Sequence, residues 1–403
     1  MCSEPTGGIL DFCSVYRFFA APLPDGLAWL AFGLAGFALA LIVVNAVVMV
    51  TGVYTWFERR AIGRFQSRIG PNRWGPYGLL QPFADMIKLV AKEDVIPADA
   101  DRSIFNVAPI ALLVPTLLVL VVIPFGDDSF MGRLNIGVLF IVGVTSVTTI
   151  AIFMGGWASR NKYAMLGAMR GVAMLISYEV PMALAITGVL LVSGTMALSG
   201  IVASQNVPFM LVQPLGFLVF FAASAAEMSR TPFDQIEAES ELGAGYHTEY
   251  SGMKFGLFQL AEFMAPIVGS IIIVTLFLGG TRGFSPVPGQ VWFIGKVFAV
   301  VFLLLWLRAT WPRLRIDQIM AFAWKGLFAL ALLNLFVVAV QVELLQDATT
   351  GELSTGDMWL MAAINWGVTI VAVVVSANVL GQRRLRRPVP KPSPLANMNM
   401  EAD

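Results

Sequence analysis

Residues 255–278 read FGLFQLAEFMAPIVGSIIIVTLFL, and this stretch decides which solvent the chain folds in. A helix crosses a ~30 Å hydrocarbon layer with about 20 apolar residues, and the stretch is long enough and apolar enough to do so. Its ionisable side chain is Glu262, and Pro266 follows four positions later. A proline offers no N–H to the carbonyl four residues earlier, so Pro266 leaves the backbone carbonyl of Glu262 itself without its helical partner. The segment reads as a membrane-crossing helix that carries a carboxyl group and a spare acceptor at one level.

Working outward, comparable apolar runs occur at 26–57, 107–125, 136–157, 164–192, 209–228, 291–307, 322–342 and 358–380. The expected fold is all-α: a polytopic membrane protein of about nine transmembrane helices with short amphipathic cytoplasmic helices. Composition agrees, with 57% hydrophobic and 13% charged residues and a mean hydropathy of +0.77. Those values exclude a soluble domain, and a formal net charge of zero excludes a globally basic nucleic-acid binder. The chain divides into an N-terminal extracytoplasmic segment (1–25), a transmembrane core of eight helices (26–345), an outer loop with one additional C-terminal helix (346–380), and a basic, proline-rich cytoplasmic tail (381–403). The first 25 residues lack a basic start and carry Glu4 and Asp11, so no cleaved signal is expected.

An odd number of spans puts the two termini on opposite faces. With the N-terminus outside, 22 of the 26 Lys and Arg residues fall in or beside the cytoplasmic loops and tail. The positive-inside rule therefore selects N-out and C-in. The basic cluster Arg383, Arg384, Arg386 and Arg387 closing the last span fits a topology anchor or a contact for anionic membrane lipid.

The longest cytoplasmic connection, 58–102, is patterned. Ile62, Phe65 and Ile69 fall on one helical face and Arg60, Arg64 and Arg68 on another, as in a helix lying at the interface. The turn formers Gly70-Pro71-Asn72-Arg73-Trp74-Gly75-Pro76-Tyr77-Gly78 then break the chain, and Phe83, Met86, Ile87 and Val90 restart a helical stripe. The pattern predicts two short amphipathic helices flanking a rigid turn. Trp56, Phe57, Phe65, Trp74 and Tyr77 are interface aromatics first and a lining for an apolar ligand second.

Chemistry-bearing residues concentrate elsewhere. Arg230-Thr231-Pro232-Phe233-Asp234-Gln235-Ile236-Glu237-Ala238-Glu239-Ser240-Glu241, followed by Glu249, places five carboxylates in a cytoplasmic loop between two spans. Crowded, poorly hydrated carboxylates repel one another, and their proton affinity is expected to rise toward the working pH. Were 234–241 helical, Asp234, Glu237 and Glu241 would share a face. Glu179 lies well inside a span, where an ionised side chain costs about 2.5 to 3.5 kcal/mol. Pro181 frees the Ser177 carbonyl beside it, a place where water could be held. These glutamates are either packing groups with buried hydrogen bonds or carriers of protons, and the cost of burying them favours the second. Glu58 and Glu227 close their spans at the cytoplasmic boundary, where an ion-pairing anchor and a proton-path role are both open. Lys296 either snorkels to the headgroups or is functional. His247 is expected to make a local hydrogen bond.

Two cysteines, Cys2 and Cys13, and one histidine cannot supply the four thiolates of an ordinary iron–sulfur cluster or a bis-histidine haem. No metal site is expected, and electron transfer would require partner subunits.

The segments Glu58-Arg59-Arg60, Arg68 through Asp85, Ser177-Tyr178-Glu179-Val180-Pro181, Ala226 through Asp234 and Glu239-Ser240-Glu241-Leu242 resemble the signature segments of the H subunit of NADH:quinone oxidoreductase, respiratory complex I. The resemblance covers roughly residues 26–342. It implies a subunit of the bacterial plasma membrane at the junction of membrane and hydrophilic arms, helping to form the quinone chamber. Quinone, whether ubiquinone or menaquinone, would be the substrate. Iron–sulfur clusters, FMN and NADH would belong to partner subunits, so no catalytic residue is expected on this chain alone. Glu58, Glu179, Glu227, Asp234, Glu237, Glu239 and Glu241 match the acidic path from chamber to membrane interior, to which the proline-paired Glu262 is added. Arg59, Arg68, Asp85 and Arg230 match chamber-side positions, with Trp56 and Phe65 as apolar lining. The quinone tail would enter from the lipid beside the first span and the Arg60–Ile69 segment. Two alternatives come from the same residues: the membrane subunit of an energy-converting hydrogenase, and a cation/proton antiporter built on proline-interrupted spans. A rigid turn flanked by two such helices suits a docking platform and argues against a self-contained antiporter.

Overall fold

The computed structural model describes residues 12–21, 28–125, 134–236, 241, 243–284, 286–345 and 354–385. Among them every regular element is helical: α1 (Phe12–Ala20), α2 (Ala28–Phe65), α3 (Gln81–Ala91), α4 (Arg102–Leu120), α5 (Gly137–Ala158), α6 (Lys162–Ser193), α7 (Leu198–Ser204), α8 (Phe209–Val212), α9 (Pro214–Glu227), α10 (Gly252–Phe277), α11 (Gly289–Thr310), α12 (Ile316–Phe322), α13 (Phe328–Leu345) and α14 (Thr355–Leu385). Among the described residues eight helices are long and apolar enough to cross a membrane, α12 and α13 counting as one, and the shorter apolar α9 makes a ninth. The expected polytopic all-α architecture is what forms.

Helix ends follow local chemistry. Asn161 caps α6 by accepting from the Tyr163 amide, and Gly194 ends that helix in the left-handed region at φ 66°. Lys296 donates to the carbonyls of Leu278, Gly280 and Arg282 at 2.7, 3.1 and 2.6 Å. All three ammonium hydrogens thus close the C-terminal end of α10, which gives Lys296 a capping role. α12 runs into α13 through a π-helical turn, Ala323–Leu327, whose Trp324 donates to the Ser177 hydroxyl beside Pro181 at 3.2 Å.

Two departures from the hydropathy reading have physical causes. The expected interfacial helix over Arg60–Ile69 is not a separate element: α2 continues unbroken to Phe65 as one 38-residue helix, about 57 Å long and so longer than a ~30 Å hydrocarbon layer requires. Nothing in 58–65 ends a helix, and the stop comes only where Ser67 takes a positive φ. The span expected at 209–228 is interrupted at Gln213, because Pro214 has no N–H to continue the ladder.

The bundle core forms where α6 packs against α5, α9 and α13 and where α10 packs against α4 and α11. Small residues permit the closest approaches. A Cβ on Gly156 would stand 2.3 Å from that of Ala168, and one on Gly167 would stand 3.0 Å from the Gly245 backbone, so α5, α6 and the loop before α10 meet at backbone distance. α2, by contrast, sits at the edge, with only 6% of its apolar window buried and Trp29, Phe37, Leu41 and Met49 facing outward.

Candidate functional site

Glu58 is 2% exposed at the level where α2 leaves the bundle. Its Oε1 accepts from Nη1 of Arg230 at 2.9 Å and from Nη1 of Arg308. Arg230 is itself buried; its Nη2 reaches the Glu262 carbonyl at 3.4 Å and its guanidinium carbon lies 5.2 Å from the Phe263 ring centroid. That carbonyl is the one Pro266 frees, so the spare acceptor legible in the sequence is taken by a cation. Three helices, α2, α10 and α11, are tied by one carboxylate and two arginines, with Tyr54 packed alongside Val301 and Leu305. Glu58 Oε2 and Arg230 Nε are buried without a hydrogen-bond partner among the described residues. Unused polar atoms in a buried ion cluster are costly.

Next to this cluster is a cavity lined by α4, α5, α6, α9 and α10. Its volume is about 120 Å³, counted as space open to the centre of a water molecule; one water needs ~10–15 Å³ on that measure, so a short file of waters fits. The lining is mostly apolar, but Glu227 and Glu262 project into it with the hydroxyl residues Thr116, Thr145, Thr148, Ser224, Ser229 and Tyr246. Thr145, whose hydroxyl donates to the Val142 carbonyl at 3.2 Å, lines the cavity with Glu227, and Glu179 on α6 is close enough to act on Glu227 through its charge. Carboxyl and hydroxyl groups around a cavity with room for water can pass protons along a hydrogen-bonded chain.

The remaining expected residues divide. Arg59 pairs with Asp85 at 2.6 Å, and Gln81 donates to the same carboxylate at 3.2 Å, which fastens α3 to the projecting end of α2. Trp56 Nε1 and Arg60 Nη1 both donate to the Tyr77 carbonyl, at 3.0 and 2.7 Å, and Arg60 stands over the Trp56 and Tyr77 rings. The Gly70–Gly78 turn is thereby locked onto α2. Phe65 is exposed, and Arg68 bonds Gln66 at 2.7 Å instead of joining the Arg59–Asp85 pair. In the acidic loop, residues 231–236 are not helical, so the shared helical face for Asp234 and Glu241 does not arise. Glu241 pairs with Arg170 at 2.5 Å, and Glu249 accepts from Asn161 at 2.5 Å; those two carboxylates have partners instead of crowding one another. Glu237 and Glu239 lie outside the described residues, as do Cys2 and the tail beyond 385. His247 is buried, edge-on to Tyr246 and Phe255.

Sequence reasoning missed Arg308, Tyr54 and the cavity hydroxyls. Arg308 stands 250 residues from Glu58 in the chain, with nothing local to mark it. The Thr145–Thr148 cluster within an apolar span is the signal that was there to be read.

A membrane helix bundle with an internal acidic cavity and a projecting basic platform defines the class: a membrane-embedded protein that handles charge. The sequence model of a family described as NADH dehydrogenase matches residues 37–339. The chain is 52% identical over 314 residues to the H subunit of NADH-quinone oxidoreductase from Dehalococcoides mccartyi (strain CBDB1), covering 78% of this chain and 88% of that protein. It is 46% identical over 315 residues to the subunit of the same name from Bacillus thuringiensis (strain Al Hakam), covering 76% of this chain and 94% of that protein. The chain belongs to this NADH dehydrogenase family.

Proposed function

We propose that this chain is the membrane-arm H subunit of a proton-pumping NADH:quinone oxidoreductase. It forms one wall of the quinone chamber and the acidic path that couples quinone reduction to proton translocation. The observation that carries the reading is the continuity between platform and cavity: Glu58 at the root of the platform joins through Arg230 to the backbone carbonyl of Glu262, a residue that lines the same cavity as Glu227. Relatives named as the H subunit of a quinone oxidoreductase favour this over the hydrogenase and antiporter readings.

In this account the N-terminus is outside and the C-terminus in the cytoplasm, consistent with the basic platform lying where the soluble arm docks. Iron–sulfur, FMN and NADH chemistry belongs to partner subunits, and quinone reaches Arg59, Asp85, Trp56 and Phe65 from the lipid beside α2. Arg68 and the loop acids Asp234, Glu237, Glu239 and Glu241 extend the chamber and the path, with Glu179 as the next acid beyond Glu227. Extraction in mild detergent followed by mass spectrometry tests assembly; the expected result is co-purification with iron–sulfur and nicotinamide-oxidising subunits. A photoreactive quinone should label the Trp56–Ile69 segment of the active complex. Recovery only as a homo-oligomer, or labelling confined to the outer loops, would overturn the assignment.

A further inference from the structure

We propose that Phe220 is a hydrophobic gate, a dry aromatic layer that separates the acid-lined cavity from a second polar cluster and keeps protons from crossing this chain outright. Phe220 and Glu227 stand seven residues apart on one face of α9, about 10 Å from each other, and Gln213, the residue at the N-terminal end of that helix, precedes Phe220 by the same step. Glu227 is at the cavity end and Phe220 is where that lining becomes apolar on α9. Phe220 and Phe277 are 2% and 0% exposed, their ring centroids lie 5.2 Å apart, and Phe217 closes on Phe277 at 5.6 Å.

Polar groups resume immediately past the layer. Gln213, Asn334, Gln341 and Asn365 are 0, 3, 6 and 3% exposed. A Cβ on Gly216, one turn from Phe220, would stand 2.8 Å from Asn334 Nδ2. Gln213 Nε2 donates to the Gly188 carbonyl at 2.9 Å, and Asn365 Nδ2 to Gln341 Oε1 at 3.0 Å. Yet Gln213 Oε1, Asn334 Nδ2 and Gln341 Nε2 are buried with no hydrogen-bond partner among the described residues. Buried polar atoms of this kind recruit water. The α9 face thus carries a polar route from both ends, broken by one aromatic layer. A narrow apolar constriction excludes water, and a proton cannot hop where the hydrogen-bonded chain is cut. The gate would force a proton gained in the cavity to leave sideways, past Glu179, instead of straight across the membrane. Its purpose rests on the coupling role proposed above, but its existence does not.

The test is passive proton leak into proteoliposomes of the assembled complex, driven by an acid jump with neither NADH nor quinone present, so that coupling is not assayed at all. Phe220→Ala removes the ring and is expected to raise the leak on the order of tenfold over wild type. Phe220→Tyr keeps the ring's packing and adds a hydroxyl that wets the layer, for a smaller rise of several-fold. An assembled Phe220→Ala complex as tight as wild type overturns the proposal; if that variant fails to assemble, a Phe220→Tyr complex as tight as wild type overturns it equally.

Discussion

Glu58 holds two guanidinium groups of unequal burial, and the inequality sets what each contributes. The Arg230 side chain is 6% exposed and the Arg308 side chain 29%. Removing a deeply buried partner leaves the remaining charge without compensation, a loss of about 3–5 kcal/mol. Arg230→Ala is expected to fall somewhat below that range, because Glu58 keeps Arg308 but loses its more deeply buried donor, and the Glu262 carbonyl loses its own. Arg308→Ala should cost distinctly less, since water can reach its position. Thermal unfolding of the assembled complex in detergent checks the order, and equal losses would contradict it. The Arg170–Glu241 pair is a contrast: its side chains are 31% and 56% exposed, so Glu241→Ala should change stability by no more than about 1 kcal/mol.

At the scale of elements, the platform depends on glycines in particular conformations. Gly78 has φ +78°, and a Cβ there would stand 2.4 Å from the Pro71 carbonyl oxygen. Gly78→Ala is expected to unseat the turn from Trp56 and Arg60 while leaving α2 and α3 inserted; retention of the soluble arm on native gels should fall, and full retention would contradict the docking role. α14 is held by Asn365, which donates to the Val212 carbonyl at 2.8 Å, where the Gln213 break has freed it, and to Gln341 at 3.0 Å. Interhelical bonds in membranes are worth about 0.6 kcal/mol, at most ~1.7. Asn365→Leu should therefore lower the crosslinking yield of a cysteine pair spanning α13 and α14 without loss of the other helices. Elements of this kind were legible to different degrees. Hydropathy located the spans because lipid demands long apolar helices, and Pro266 disclosed the Glu262 carbonyl because its effect is local. The continuity of α2 was hidden by a change of solvent along an uninterrupted helix. Lys296 was open between snorkelling and function until its three carbonyl partners, set by the fold of a neighbouring helix end, were visible.

At the scale of the whole molecule, two polar systems are joined by Arg230: a platform outside the hydrocarbon and a cavity within it. Glu179 and Glu262 could be singled out individually from their cost in lipid, and Glu58 and Glu227 as charges that close a span; that Glu227 and Glu262 share one cavity, with Thr145 and Ser224, depends on three helices distant in sequence. The role proposed for this cavity is to couple quinone reduction to proton movement. Glu227→Gln nearly preserves shape while removing the exchangeable carboxyl proton, and so does Glu179→Gln one step further along the path. The most direct measurement is NADH-driven proton pumping by the assembled Glu227→Gln complex in proteoliposomes. Quinone-linked turnover and pumping are expected to fall together by about tenfold or more, while electron transfer from NADH to a soluble artificial acceptor persists, and wild-type pumping by the assembled variant would contradict the account.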